Sequence, residues 1–303
     1  MMAVPMAEGA VQTGDSSTAR MRPPAGSRRR RAAALTVGTL VCFAANSLLC
    51  RAALRPRLVD AVTFTTVRIA SGAVALTLIA VARRRAWPRG GSLAGGLTLF
   101  AYAISFSLAY VRIGAGVGAL LLFGAVQVTM LGWSLAQGAR PRPVEWLGIA
   151  VALAGLAWLG LPGATAPDPA GAALMVISGA CWGAYSLLGR SGRDPVASNA
   201  DNFLRALPLV LALSVALAGR AAASGPGILL AAASGALASG GGYSLWYAVV
   251  PDLGATRAAA VQLGVPVLAG LGATAFLGER LTPRVAASGA AILAGIALTL
   301  RRR

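Results

Sequence analysis

Ten apolar runs, most of them about as long as a membrane-spanning helix, follow one another through this chain with short loops between them. The hydrocarbon core of a bilayer is about 30 Å thick, and roughly 20 apolar residues in an α-helix span it. Because the bilayer cannot hydrogen-bond an exposed backbone, such runs predict helices rather than irregular chain. The approximate predicted spans are 32–50, 60–82, 92–111, 115–137, 145–161, 170–189, 200–219, 227–249, 256–277 and 283–300.

Composition and charge agree with a bilayer environment. Hydrophobic residues make up 57% of the chain and charged residues 12%, whereas an ordinary soluble domain has about 25% charged residues. The net charge of +18 comes entirely from arginine, and most arginines cluster between the apolar runs, where they indicate topology. We therefore expect the lipid bilayer and a small-molecule solute as partners, and no nucleic acid. Homo-oligomer formation is left open.

The first 31 residues differ from the rest. They are rich in Gly, Pro, Ser and Arg and contain no apolar run, so we expect 1–31 to be a disordered cytoplasmic tail. A signal peptide cleaved before Cys50 is the alternative, because a charged stretch precedes an apolar one. Leu49 stands where such a cleavage site needs a small residue, and the same stretch recurs inside the chain, which favours the tail.

An internal repeat covers most of the chain. Residues 42–51 read CFAANSLLCR and residues 181–190 read CWGAYSLLGR. GARPRP at 138–143 likewise matches GERLTP at 278–283, and other pairs keep nearly the same offset. We expect a first five-helix repeat at 32–161, a linker at 162–169 and a second repeat with a short basic tail at 170–303.

Five helices per repeat is an odd number, so the second repeat enters the membrane inverted relative to the first. Inverted repeats are typical of secondary transporters, in which two similar halves meet at a midplane site and expose it alternately. The predicted fold is an all-α polytopic membrane protein with ten transmembrane helices in two inverted five-helix repeats. The positive-inside rule places both termini in the cytoplasm.

Two stretches near the C-terminus resemble a known family. LGERLTPRVAASGAAILAGIAL at 277–298 and GATRAAAVQLGVPVLAGL at 254–271 resemble the last two segments of EamA-type members of the drug/metabolite transporter superfamily. The resemblance implies ten segments, with segments 1–4 and 6–9 around a central cavity, and carriage of small metabolites, often export. Ala139 departs from the family pattern, which commonly repeats there the Glu seen at Glu279.

Several kinds of chemistry lack the residues they need. The chain has neither His nor Lys, which excludes Ser-His-Asp triads, histidine-based zinc sites and Schiff-base chemistry. The carboxylates outside the tail fall at predicted loops or helix ends, which favours a facilitator or exchanger over a carrier with a midplane proton relay. We expect no enzyme activity, no cofactor and no metal.

Charged residues within the predicted helices are expected to have structural roles. A charge near the bilayer centre costs about 2.5–3.5 kcal/mol on insertion scales, so such groups are paired or near an interface. Arg68 and its repeat partner Arg205 are in this class, and Asp201 lies one turn before Arg205. We expect Arg68, Asp201, Arg205 and Glu279 to be structural charges, although a direct solute contact by the arginines stays open.

Polar and aromatic side chains at helical spacing form the predicted solute site. Tyr102 and Phe106 share one helical face, as do Tyr243 and Trp246. Interfacial or packing roles are the alternative for these residues. The candidate substrate-binding residues are Asn46, Tyr102, Phe106, Gln127, Trp182, Tyr185, Tyr243, Trp246, Gln262 and Pro266.

Taken together, the sequence predicts a multi-pass carrier in a cytoplasmic membrane that moves small organic metabolites, as an exporter or exchanger. The aromatic residues make amino acids or aromatic metabolites candidate solutes. A scaffold or sensor without transport activity, and a passive channel, are the alternatives. Close packing throughout the helices would favour the scaffold, and a continuous polar pore would favour the channel.

Overall fold

The computed structural model describes residues 25–84, 87–138, 140, 142–161, 166–189, 194–246, 262 and 264–299. Most of the predicted tail, the middle of the predicted linker and the first part of the predicted ninth span lie outside the described residues. In the described part the fold is built from helices, and the β-type contact found there is an isolated bridge between Val59 and Ala223.

The described helices follow the predicted runs closely. In chain order they are α1 (Ala25–Leu54), α2 (Ala61–Arg84), α3 (Leu93–Arg112), α4 (Ala115–Ala136), α5 (Pro143–Gly160), α6 (Pro169–Leu188), α7 (Pro195–Ala216), α8 (Gly225–Trp246), α9 (Gly264–Leu277) and α10 (Pro283–Thr299). A 3₁₀ turn at Ala218–Arg220 precedes α8, and α8 contains a π-helical segment, Ser234–Gly241.

Six helices are long and apolar enough to cross a bilayer: α1, α2, α3, α4, α6 and α8. They coincide with six of the ten predicted spans, and the chain is a multi-pass membrane protein. The described parts of α5 and α9 are apolar but shorter. The first half of α7 carries Asn199, Asp201, Asn202 and Arg205, which lower its hydropathy.

Two helices, α1 and α7, begin more than one turn earlier than the apolar pattern predicts. α1 begins at Ala25, so residues 25–31 are helical although the sequence predicts a disordered tail there. Arginine is a good helix former, and a run of it extends a helix without adding apolar residues. α7 begins at Pro195 because the side chain of Asp194 accepts hydrogen bonds from the backbone N–H groups of Val196 and Ala197.

The helices pack as an interlocked bundle. α2 packs along α7, α3 and α4 pack against α6, and α1 packs against α8 and α9. α5 and α10 form a separate pair beside α4. This arrangement brings α1, α2, α3, α4, α6 and α8 around one central region, which contains the buried polar residues Arg68, Ser234 and Ser239.

Candidate functional site

A small enclosed cavity lies at the centre of the bundle. Its volume is about 20 Å³, enough for about one water molecule. Helices α1, α3, α4, α6 and α8 contribute its walls, and most of the wall is aromatic. The residues that line it are Phe43, Asn46, Ser47, Tyr102, Phe106, Leu122, Phe123, Trp182, Ala238 and Tyr243.

Trp182 on α6 is the centre of the aromatic cluster. Its ring centroid lies 5.0 Å from that of Tyr102 and 5.0 Å from that of Tyr243. Tyr185 stacks on it at 5.6 Å, and Phe43 meets it edge-on at 6.1 Å. Such spacings are typical of favourable aromatic pairs, so four helices meet through rings at this point.

Arg68 on α2 lies behind this aromatic wall and is only 1% exposed. Its Nη2 donates to the Tyr102 hydroxyl at 2.9 Å, and its Nε donates to Ser239 Oγ at 3.3 Å. The guanidinium carbon lies 5.1 Å and 4.9 Å from the ring centroids of Tyr102 and Phe106, which is cation–π distance. Nη1 has no hydrogen-bond partner among the described residues, and no carboxylate of the described part forms an ion pair with Arg68.

The Tyr102 hydroxyl connects Arg68 to the polar side chains of α1 and α8. It accepts from Arg68 and also, at 3.4 Å, from Asn46 Nδ2. Asn46 Oδ1 in turn accepts from Ser234 Oγ at 2.6 Å. Two accepted hydrogen bonds leave the hydrogen of the Tyr102 hydroxyl for a third partner. The Tyr243 hydroxyl, which is buried, has no partner in the described part of the chain.

The π-helical segment of α8 explains how α8 approaches Arg68. A Cβ placed on Gly235 would overlap the Arg68 carbonyl oxygen and Ser71 Oγ, so only glycine allows the two backbones to come this close. The wider π turn brings Ser234 and Ser239 of one segment to the cluster, one to Asn46 and the other to Arg68. Single π turns inside α-helices are frequent at functional sites.

The structure brings most of the predicted site residues together. Five of them line the cavity: Asn46, Tyr102, Phe106, Trp182 and Tyr243. Two more contact its rings, since Tyr185 stacks on Trp182 and Trp246 lies 5.9 Å from Phe43, centroid to centroid. The hydroxyl of Tyr185 also donates to Asn199 on α7.

Three predicted site residues lie elsewhere. Gln127 is half-buried towards the C-terminal part of α4, beyond the wall formed by Leu122 and Phe123. Gln262 and Pro266 are buried at and near the start of α9, next to residues that are not described. None of the three is among the described residues that line the central cavity.

The predicted structural charges fall into two environments. Arg205 pairs with Asp201 at 3.1 Å and is exposed, and Asp201 also accepts from the backbone N–H of Gly91 in the loop before α3. Glu279 pairs with Arg51 at 3.1 Å. Arg68 differs from its repeat partner because it is buried and belongs to the aromatic and polar side chains around the central cavity, which we call the central cluster.

Among the residues around the cavity that sequence reasoning missed are Phe43, Ser47, Ser234 and Ser239. Phe43 lies three residues before Asn46 on the same helical face, which could have indicated it, and Ser47 lies one turn after Phe43. Serine is common in helical membrane proteins, and a π turn leaves no clear signal in the sequence. The two serines of α8 could therefore not be distinguished from packing residues.

A second, open cavity of about 500 Å³, which we call the vestibule, lies at one end of the bundle. We call this end the Arg51 end. The rim of the vestibule includes the arginines 51, 55, 112 and 280 and the carboxylates of Asp168 and Glu279. Between this vestibule and the central cavity stand Tyr110 and Phe106, whose rings meet edge-on at 4.6 Å.

Glu279 lines the vestibule and connects α1 to α4 there. Its Oε1 accepts from Arg51 Nε at 3.1 Å, and its Oε2 accepts from the backbone N–H of Ala115 at 2.8 Å. Gly114, the residue before α4, has no side chain to cap that helix, so the Glu279 carboxylate caps it. Gly278, at φ +63°, turns the chain after α9 and so presents Glu279 to these partners.

The described residues contain no group of three His, Cys, Asp or Glu side chains close enough to share a metal ion.

The comparisons with known proteins agree with this arrangement. Residues 169–301 match the model of the EamA-like transporter family. The chain is 51% identical over 275 residues to the uncharacterized protein PA1977 of Pseudomonas aeruginosa, covering 90% of this chain and 96% of that one. A crystal structure of another protein aligns with a TM-score of 0.65 at 18% identity, covering 89% of this chain and 97% of that one. That last similarity concerns the fold alone.

The family match, the relative that covers 90% of this chain and the apolar helices are consistent with one another. The chain belongs to the EamA-like transporter family of the drug/metabolite transporter superfamily.

Proposed function

We propose that the protein is a secondary carrier that moves small organic metabolites across a cytoplasmic membrane by alternating access. The observation that carries the proposal is the enclosed central cavity, whose wall comes from α1, α3 and α4 of the first half and from α6 and α8 of the second. A binding site between two halves is where a rocking carrier needs one. In the described conformation the cavity has room for about one water molecule, so a solute enters when the halves move apart, and the rings and unpartnered polar groups then supply its contacts.

We further propose that the halves, 32–161 and 170–303, are inverted five-helix repeats. Matched sequence positions have matched conformations. Gly138 and Gly278, which the repeat aligns, both have positive φ, 84° and 63°. Pro143 and Pro283, five residues further on in each repeat, are the first residues of α5 and α10.

Reciprocal contacts between α5 and α10 support a two-fold relation. A Cβ on Gly155 would lie 3.1 Å from Ile292, and a Cβ on Gly295 would lie 2.5 Å from the backbone nitrogen of Ala152. The repeat aligns Gly155 with Gly295 and Ala152 with Ile292. A contact that repeats with the partners exchanged is the mark of a two-fold interface.

In the proposed topology all ten helices cross the membrane, and the two termini share the cytoplasmic side. The arginine-rich ends then lie inside, and the Arg51 end faces outside. Since Arg51 belongs to the first half and Glu279 to the second, their ion pair connects the halves on the outer side. Opening to the outside would have to break it.

The inventory of charges bears on how transport is coupled. Asp201 lies in the second turn of α7, where it pairs with Arg205, and the other described carboxylates lie in loops or at helix starts, so no described carboxylate could relay protons at the midplane. We propose an exporter or exchanger, with amino acids or aromatic metabolites as the first solutes to test because the cavity wall is aromatic.

Counterflow tests the proposal. The purified full chain is reconstituted into vesicles loaded with an unlabelled solute, and uptake of the same labelled solute is measured across amino acids, nucleobases and aromatic metabolites. We expect saturable uptake of at least one solute, and at least a tenfold loss in Trp182→Ala, which removes the central ring.

The matched control is Trp133→Ala, because Trp133 is 52% exposed on α4 and points away from the cavity. It should retain uptake. Suppose that the reconstituted protein is folded, as shown by the same cooperative unfolding as in detergent, and yet shows counterflow of none of the solutes. This result would contradict the carrier and favour a scaffold. Unsaturable flux together with ion leakage would favour a channel.

A further inference from the structure

We propose that the central site binds a small organic monoanion, such as a monocarboxylate, and that Arg68 is the counter-ion of its negative group. This inference rests on the proposed carrier function and specifies the class of solute. Nothing in the composition of the chain requires it. It follows from the way one buried cation is hydrogen-bonded and from what surrounds it.

Arg68 is a buried charge that lacks a counter-ion and one hydrogen-bond acceptor among the described residues. Its guanidinium stays protonated and has only N–H donors, five of them. Tyr102 and Ser239 use part of that set, while Nη1 has no partner in the described part of the chain. Burying a charge is costly unless it is paired and hydrogen-bonded. A bound anion would supply both the missing acceptor and the missing charge.

The groups around Arg68 also offer hydrogens. Tyr102 and Ser239 each accept a hydrogen bond from Arg68, which orients their oxygen lone pairs towards it and leaves their own hydrogens to be donated elsewhere. The hydroxyl of Tyr243 is buried without a partner in the described residues. A cluster of donors around one cation is complementary to the oxygens of a carboxylate.

The same geometry disfavours cations. Aromatic rings often bind cationic ligands through their faces. Here the guanidinium of Arg68 already occupies that position over Tyr102 and Phe106, at 5.1 Å and 4.9 Å. A second cation would meet a like charge in a low-dielectric interior, where repulsion is strong.

One counter-ion also limits the charge of the ligand. A monoanion neutralises Arg68, whereas a dianion would leave a buried negative charge without a partner. The inference therefore narrows the proposed solutes and disfavours amino acids, because a zwitterion would bring an ammonium group that no described carboxylate of the cluster receives. The described carboxylates lie in loops, at helix starts or, for Asp201, in the second turn of α7 beside Arg205: Asp60, Glu145, Asp168, Asp194, Asp201 and Glu279. The rings of Trp182 and Phe43 then suit the apolar body of the ligand.

The vestibule adds an independent observation. Its rim carries four arginines and two carboxylates, so its net charge is positive. Glu279 and Asp168 pair with Arg51 and Arg112, which leaves Arg55 and Arg280 as the excess charge, and an excess of one sign concentrates ions of the opposite sign. Anions would therefore accumulate at the Arg51 end, on the side of the central cluster where Tyr110 and Phe106 separate the two cavities.

Solutes that share an apolar body and differ in charge test this inference. The purified full chain is heated with monoanions (phenylpyruvate, benzoate and 4-methyl-2-oxopentanoate), a cation (phenethylamine), a zwitterion (phenylalanine) and a dianion (phenyl phosphate). A ligand that binds only the native state raises the unfolding temperature, and at 100 times its Kd we expect a rise of about 5 °C. We expect this rise with at least one monoanion and little change with the other three classes.

The variants Arg68→Gln and Arg205→Gln are a matched pair, since Arg205 is the repeat partner of Arg68 but is exposed and already paired with Asp201. Arg68→Gln should weaken monoanion binding at least about tenfold, because charge-assisted hydrogen bonds are lost. Arg205→Gln should not change it. Should Arg68→Gln fail to fold, Tyr243→Phe keeps the charge, removes one donor and should weaken binding several-fold.

The outcomes separate this inference from the carrier proposal. Monoanion binding that depends on Arg68, without counterflow of the same solute, would support the site and contradict the carrier. Equal or stronger stabilisation by phenethylamine or phenylalanine, or an unchanged monoanion response in Arg68→Gln, would overturn the inference and leave the carrier standing. So would the absence of stabilisation by all three monoanions at 10 mM, a concentration that is about 100 times a Kd of 0.1 mM.

Discussion

At the scale of single residues, Glu279 shows how one carboxylate can connect separate parts of a helical bundle. It pairs with Arg51 of α1 and caps the start of α4. Arg51 is itself fixed by the carbonyl oxygen of Tyr110, 2.7 Å from its Nη1. A Cβ on Gly114 would lie 2.6 Å from Glu279 Oε2, so the close approach depends on glycine there. The group is therefore sensitive to either partner.

Glu279→Gln should lower the free energy of unfolding by about 2 kcal/mol, because Arg51 loses its counter-ion in a site that is mostly buried. The side chains of Arg51 and Glu279 are 12% and 17% exposed. Arg112→Gln is the control, since the Arg112–Asp168 pair has 52% and 39% exposed side chains and should contribute about 0.5 kcal/mol. Unfolding in detergent measures both, and equal losses would contradict the importance of the Glu279 contacts.

Asp60, in the loop between α1 and α2, predicts a dependence on pH. Burial raises the pKa of its carboxyl, but hydrogen bonds from Thr63, Ala222 and Val62 outweigh burial, so the pKa lies below its ordinary value. A lowered pKa stabilises the fold fully above the unfolded-state value of about 4 and less as pH falls through the folded value.

We therefore expect the unfolding temperature to fall between about pH 4 and pH 2 more steeply in the native protein than in Asp60→Asn. Thermal unfolding from pH 7 to pH 2 measures the difference. Parallel curves for the two proteins would show that Asp60 contributes no pH-dependent stability.

At the scale of elements, the closest helix contacts depend on glycine. α8 meets α2 at Gly235, and α6 meets α4 at Gly179, where an added Cβ would overlap the carbonyl oxygen of Leu122. Small residues let helices approach closely in a bilayer, where packing rather than hydrophobicity drives association. The Arg68 cluster depends on the first of these contacts, because Ser234 and Ser239 flank Gly235.

Gly235→Ala should destabilise the protein by about 3 kcal/mol, since the added methyl group overlaps the Arg68 carbonyl oxygen and the backbones must separate. Gly132→Ala is the matched control: it also lies within a helix, but nothing is within 4 Å of an added Cβ. There alanine should be neutral or stabilise by up to about 1 kcal/mol. The unfolding temperatures of both variants measure these changes in stability. A Gly235→Ala protein as stable as the native one would contradict the proposed contact.

The apolar pattern locates most helices to within a few residues, because hydrophobic length is set by the bilayer. It fails where other physics decides the boundary. Capping by Asp194 starts α7 five residues before the predicted span, and arginine extends α1 back to Ala25. Helical spacing also brought Tyr102, Trp182 and Tyr243 into the candidate site. It could not show that Arg68 lies with them while Arg205 is exposed, since the repeat matches the two positions in sequence but their exposure depends on neighbours from other helices.

At the scale of the whole molecule, the two halves differ where the proposed function needs a difference. Repeat-related glycines and prolines have the same conformations at the ends of α4, α5, α9 and α10. The centre is asymmetric: one half contributes Arg68 and Tyr102, and the other contributes Trp182 and Tyr243. The proposed inverted repeats would therefore supply two related conformations around a single site with one orientation.

Access to Asn46 from each side of the membrane is a direct test of alternating access to the central cavity. Asn46 is 6% exposed and lines the central cavity. Asn46→Cys would be placed in a protein whose three native cysteines are alanine, and a membrane-impermeant thiol reagent applied to right-side-out and inside-out vesicles. Alternating access predicts labelling from both sides in vesicles that still hold an ion gradient. Labelling from neither side would contradict it, and labelling from both sides with loss of the gradient would indicate a channel.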